Sequence, residues 1–433
     1  MGNNHRNPAN PATWVPTLYF AEGAPFFIVS LIAGIFYKRL GLPNDIIALY
    51  TSSLLLPWSL KPIWSPLLEM FRTKKFFVVL FEFTSGTSLL LVAFCLPMQG
   101  YFRYSLLLFA LLAFSSATHD VAADGLYIAS LSESQQSAFA GWQGGFFNFA
   151  RFFSQGGLVI LAGYLESRLD VRRAWMIIFA ALGCILIALS AYHAKMLPAG
   201  GPERGSQSLR EMATTFQDVV RSFFRKPRIL LLLILIFLYR AGEGQLAKIG
   251  PLFLVDQRRA GGLGLSTDQF GKIYGTFGTV AFITGSVLGG YFTSWFGLKR
   301  ALVPLICAMN FPMIAYYYLS TVLPANSATI TGALSVEMFG YGFGFVGVIL
   351  IMMQEIAPGA YQTAHYAFAT ALMNLGLMIP GSVSGKIQLA LGYRKFFIWV
   401  LISAIPALVL ARFVPIRGGT QAPAPAAPEL KVA

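Results

Sequence analysis

The sequence predicts an all-α integral membrane protein of twelve transmembrane helices in two six-helix halves. Three observations carry that reading. Of its 433 residues only 12% are charged while 56% are hydrophobic, against about a quarter charged in soluble domains. Apolar runs of about 20 residues recur along the chain, each long enough to cross about 30 Å of hydrocarbon. Midway lies the longest polar segment, LPAGGPERGSQSLREMATTFQDVVRSFFRKPR, whose Pro and Gly mark a linker.

Taken in order, residues 1–13 (MGNNHRNPANPAT) lack the basic region and cleavage site of a signal peptide. Arg6 stands where N-myristoylation needs Ser or Thr, so an uncleaved, unmodified cytosolic start is expected. The first half, 14–196, holds spans 1 to 6 at residues 14–37, 45–68, 76–97, 104–131, 136–164 and 175–192. The linker, 197–228, offers a capping box at Ser208 and Glu211. Its apolar residues Leu209, Met212, Phe216, Val219 and Phe223 recur at helical spacing beside Arg210, Arg221, Arg225 and Lys226, which reads as an amphipathic helix on the membrane surface. The second half, 229–413, holds spans 7 to 12 at residues 229–255, 267–295, 301–319, 328–355, 361–391 and 396–413. The Pro- and Ala-rich tail, 414–433, is expected to be disordered and cytosolic.

An internal repeat supports the two halves. Leu18-Tyr19 matches Leu238-Tyr239 at an offset of 220, each pair followed closely by Glu and Gly, and Lys75 matches Arg300 at an offset of 225. Lys and Arg outnumber Asp and Glu 32 to 18. In a membrane protein that surplus anchors cytosolic edges rather than nucleic acid. A cytosolic N-terminus puts Arg72, Lys74, Lys75, Lys195, Arg225, Lys226, Arg228, Lys299, Arg300 and Arg412 inside, and leaves Arg172, Arg173, Arg258, Arg259, Arg394 and Lys395 outside. The bias therefore leans on the central loop. Cys95, Cys184 and Cys307 lie singly in separate apolar runs, which gives neither a disulfide framework nor a metal pattern.

Charges at membrane depth are costly and mark function or pairing. Here they are Glu22, Lys61, Glu82, Asp120, Asp124, Arg151, Arg240, Glu243, Lys248, Glu337 and His365. Glu22 stands near mid-membrane beside Gly23 and Pro25, where a kink is expected. It either lines a cavity or pairs with Lys61 or Arg240. Lys61, between Pro57, Pro62 and Pro66, either neutralises a carboxylate or meets an anionic solute. Asp120 and Asp124 share a helix face, with His119 about 100° away. Asp120, about 24 Å into span 4, suits a reversible proton carrier; Asp124, about 30 Å in, can latch onto Arg72, Lys74 or Lys75 at the cytosolic edge. Arg151 offers a planar, permanently charged fork for an anion or a counter-charge. Arg240 and Glu243, three apart, are either a self-contained pair or cavity groups, and Glu337 and His365 are single ionisable residues in spans 10 and 11.

Membrane-enzyme signatures fail on spacing. Asp120 and Asp124 lack the downstream pair and Ala-Arg of CDP-alcohol phosphotransferases, four histidines are too few and too scattered for metal hydrolysis, and no P-loop lysine motif is present.

The halves, the central loop and the basic turns after spans 2 and 8 resemble the major facilitator superfamily. Within it AEGAPF (residues 21–26), LKPIWSPLLE (60–69) and FSSATHDVAADGLYI (114–128) are similar to AmpG-type permeases, more so in the first half than the second. The resemblance implies import of anhydro-muropeptides with the proton gradient, siderophore carriage being the alternative within the group, and it adds Glu69 to the gating residues. Characterised muropeptide permeases are generally longer and commonly carry Gln where His119 stands. The expectation is a monomeric, cofactor-free symporter of the bacterial inner membrane, both termini cytosolic. Glu22, Lys61, Asp120, Arg151, Arg240, Glu243, Glu337 and His365 serve solute and proton; Glu69, Arg72, Lys74 and Asp124 serve gating. A membrane enzyme or a non-transporting sensor is the reading of another class.

Overall fold

The structure is a computed structural model that describes residues 10–70, 72–200, 209–359, 361–414 and 416. The expected capping box, the side chain of Glu69 and most of both tails lie outside the described residues.

Twelve helical spans are present among the described residues, and breaks in helical regularity shape several of them. Span 1 runs Pro11–Arg39 and, three residues after Pro25, passes through a π-helical stretch, Ile28–Ile32. Proline removes a backbone donor and crowds the preceding turn, and a wider turn absorbs the mismatch. Span 2 is divided into Asn44–Ser53 and Leu56–Met70, the turn falling just before Pro57. Spans 3, 4 and 6 are regular: Lys74–Cys95, Tyr101–Ser130 and Val171–Met196. Span 5 joins Glu133–Arg151 to Val159–Glu166 through a π-helical Phe152–Leu158. Its first turns are polar, and a Ser132 and Gln135 capping box holds their end.

The linker helix, Leu209–Phe224, precedes span 7, Ile229–Val255. Span 8, Thr267–Phe296, contains a π-helical Gly271–Gly278. Span 9 is Leu298–Val322 and span 10 Ser327–Ile356. The last two spans join without a loop, in one run, Gln362–Ser403, interrupted at Gly392. Gly392 has φ 71°, where a side chain would be strained, so residues 362–391 and 393–411 are separate spans.

Span 3 packs between spans 4 and 6, and span 1 against span 5; span 10 packs against spans 8 and 9. The first six spans meet the last six along two seams, span 2 against span 11 and span 5 against span 8. In the second seam the two π-helical stretches touch. A Cβ on Gly275 would lie 1.9 Å from the Gln155 carbonyl oxygen, so the backbones approach this closely only because glycine is there. Farther along span 5, Cβ atoms on Gly141, Gly144 and Gly145 would meet open space. The seam is shut at its Gly163–Asp268 end and parted at its Gly141 end.

Candidate functional site

Ionisable side chains gather in two groups at membrane depth. In the first six spans, Lys61 Nζ of span 2 lies 2.5 Å from Asp120 Oδ2 of span 4. Both side chains keep some exposure, 22% and 14%, so the pair is not sealed. Asp124, one turn on, accepts hydrogen bonds from Tyr19 Oη at 3.1 Å and Gln143 Nε2 at 3.4 Å. Glu22 stands within electrostatic reach of Asp120, Asp124 and Lys61, and its Oε2 is buried without a hydrogen-bond partner among the described residues. Three carboxylates thus share one ammonium, which buries surplus negative charge unless a proton or a cationic group joins them. Tyr366 of span 11 feels the charges of Lys61 and Asp124, so the group faces the second six spans.

The second group crosses the seam. Arg151 of span 5 places its guanidinium 4.1 Å from the Phe282 ring centroid of span 8 and 3.4 Å from Gln155 Oε1. Arg240 Nη1 lies 3.2 Å from Glu243 Oε2 within span 7, both side chains almost fully buried. Arg240 also sits 5.0 Å from the Phe345 ring centroid of span 10. Arg151 interacts electrostatically with Glu243 and Glu337. Arg240 Nη1 and Glu243 Oε2 hold each other, whereas Glu337 Oε2 and Arg240 Nε are buried without hydrogen bonds among the described residues. Buried polar atoms are rarely left so. One buried acceptor and one buried donor, of opposite sign, are therefore open to a polar ligand here.

The structure brings most of the expected residues together and separates others. Glu22 forms an ion pair with neither Lys61 nor Arg240, since Lys61 is taken by Asp120 and Arg240 by Glu243. His365 faces the linker helix, its Nε2 3.0 Å from Ser222 Oγ and its ring against Phe223, so its expected place with the solute-facing residues is corrected. The amphipathic linker explains this, because its apolar face needs a partner and takes span 11. Arg72 turns its guanidinium toward the Phe76 ring. Lys74 lies over the end of span 4, where a Cβ on Gly125 would be 2.8 Å from its Cδ. Trp58 packs on Phe26 and Trp64 on Phe114.

Two constellations escaped the sequence reading. One is a rim of contacts at the closed end. Lys38 Nζ lies 2.8 Å from Asp256 Oδ2, which also accepts from Tyr393 Oη at 2.7 Å. Asn44 accepts from Lys38 and donates to Gln388 and Tyr393. Beside it Glu166 accepts from Arg39, Thr267 and Trp175. Inside the rim Lys248 of span 7 donates to the carbonyl oxygens of Ser30 and Thr51 at 3.1 and 3.2 Å. A signal was present, since Lys38-Arg39 and Arg258-Arg259 repeat the 220-residue offset and so mark equivalent ends of spans 1 and 7. The other constellation is Glu82 with His119 and His193. His193 stands near the end of span 6, where an ionisable residue reads as an interface group.

Comparisons with known proteins agree with this architecture. The sequence model of the family described as Major Facilitator Superfamily matches residues 17–385. The anhydromuropeptide permease of Escherichia coli is 24% identical over 81% of this chain and 69% of its own. A transporter named AmpG 4 in Rickettsia conorii is 21% identical over 92% of this chain and 94% of its own. Among solved structures, the nucleoside transporter NupG superposes with a TM-score of 0.69 at 17% identity, covering 93% of this chain and 98% of its own. A D-xylose-proton symporter superposes with a TM-score of 0.68 at 15% identity, covering 93% and 97%.

Proposed function

The chain belongs to the Major Facilitator Superfamily, and from that premise we propose that it is a proton-coupled symporter importing a large polar solute of the anhydro-muropeptide kind across a bacterial inner membrane. The observation that carries the reading is the two charged groups at membrane depth, one within the first six spans and one crossing the contact between the first and last six. Arg151 and Arg240 would hold carboxylates of the solute, while Glu243 and Glu337 would meet its amines and hydroxyls. The AmpG-type relatives supply the solute class.

In this proposal Asp120 carries the proton. Protonation removes the counter-charge of Lys61, and the freed ammonium turns to the solute; loss of the proton restores the pair and releases the solute. Asp124, held by Tyr19 and Gln143 with Lys74 close by, contributes to a latch at the Arg72 end. A cytosolic N-terminus makes the Lys38–Asp256 rim the outer gate, here shut, and the parted end of spans 5 and 8 the path to the cytosol.

Proteoliposomes with an acidic exterior and labelled anhydro-muropeptide test this. The expected outcome is accumulation that collapses with a protonophore. Uptake of a ferric siderophore with none of muropeptide would overturn the solute assignment, and gradient-independent uptake would overturn the coupling.

A further inference from the structure

We propose that Glu82, His119 and His193 form a buried proton-binding site in the first six spans, separate from the Lys61–Asp120 pair. Glu82 sits on span 3, eight residues from Lys74 and so about 12 Å along the helix. Its Oε1 is 3.1 Å from His119 Nε2 of span 4 and 2.7 Å from His193 Nδ1 of span 6. The three side chains are 1%, 2% and 0% exposed.

Hydrogen-bond counting shows how a proton is accommodated. An ionised Glu82 only accepts, so both facing ring nitrogens bring N–H groups. The far nitrogen of His193, Nε2, lies 2.9 Å from Thr17 Oγ1 of span 1, and that hydroxyl is also 3.1 Å from the Trp14 carbonyl oxygen. With His193 neutral, Thr17 donates to Nε2. With His193 an imidazolium, Nε2–H donates to Thr17, whose hydroxyl turns to Trp14. Either state is fully bonded. Taking a proton from hydronium forms the Nε2–H bond, leaves water, and moves the cluster from one negative charge to none. His119 is the unsuitable acceptor, because its Nδ1 is buried with no partner among the described residues and an N–H there would be unsatisfied.

Ionisable groups on the surrounding elements tie the cluster to the cavity. They are Tyr19 and Glu22 of span 1, Lys61 of span 2, Lys74 and Lys75 of span 3, Asp120 and Asp124 of span 4, and Tyr192 and Lys195 of span 6. His119 is the chain neighbour of Asp120 and interacts electrostatically with Asp124. Charge on the cluster therefore biases the acids that face the solute.

The chain has four histidines, so nitrogen-15 histidine labelling in nanodiscs resolves each ring, with His→Gln variants for assignment. The expected result is that His193 changes from imidazolium to neutral imidazole as the pH is taken across the range from acid to alkaline. Glu82→Gln should move the midpoint of that change, since the counter-charge is gone. A His193 in one protonation state across the range, as a fixed ion pair or neutral packing would give, overturns the proposal. So does a midpoint unchanged in a folded Glu82→Gln variant; if that variant does not fold, the wild-type titration alone decides. No solute is needed, so failure here is distinct from failure of the uptake assay.

Discussion

Asp120 and Asp124 stand one helical turn apart, yet their partners differ. Lys61 neutralises the first, while neutral donors from Tyr19 and Gln143 hold the second. Replacing Asp120 by Asn keeps the shape and removes the charge. Losing one charge-assisted bond, about 1.5 kcal/mol, corresponds to roughly a tenfold effect. Gradient-driven accumulation should fall at least that far while solute exchange persists, as counterflow would measure; unchanged accumulation would end the proton-carrier assignment. The shared face of the two acids was legible because helix periodicity fixes it. That Lys61 turns to Asp120 rather than Glu22 was not, because periodicity says nothing about which neighbouring helix supplies the partner. Likewise His119 was legible as lying off the shared face, but the Glu82 and His193 behind it become neighbours only when three helices pack.

At the scale of the helix, the irregularities of spans 1, 2, 5 and 8 follow two different causes. In spans 1 and 2 the departures sit beside Pro25 and Pro57, and proline announces them in the sequence. The π-helical stretches of spans 5 and 8 contain Gly156, Gly157, Gly271, Gly275 and Gly278 but no proline, and their wide turns arise where two backbones press together. Glycine richness was visible; the partner backbone was not. Gly275→Val is expected to part this seam, because its Cβ has no room beside Gln155. Spin labels at Arg168 and Arg259, both exposed near the closed end, should then report a longer distance by double electron–electron resonance. An unchanged distribution would show that the glycine contact is not what holds spans 5 and 8 closed.

The whole molecule is a pair of helical bundles whose contact is complete at one end. Composition and the six-plus-six spacing made the membrane class and span count legible, since every crossing helix must meet the same thickness of hydrocarbon. Which end is closed was not legible, because one sequence supports both arrangements. Asp256→Lys should set two ammonium groups against each other at the rim. Lys38 and Asp256 are each 14% exposed, so the pair is partly screened and worth about 1 kcal/mol, a roughly fivefold change in population. The same labels should show the open form gaining, and Lys38→Asp added to Asp256→Lys should restore the original distribution. Failure of that restoration would remove the rim pair from the gate.

Lys248 closes the same end by other means. Its ammonium is held by peptide oxygens of Ser30 and Thr51 instead of a carboxylate, and it lies inside the protein, 7% exposed. Mobile ions screen a buried contact little. The closed end thus has an outer ring that brine loosens and an inner bolt that brine barely reaches, so sudden osmotic stress would slacken the first without drawing the second.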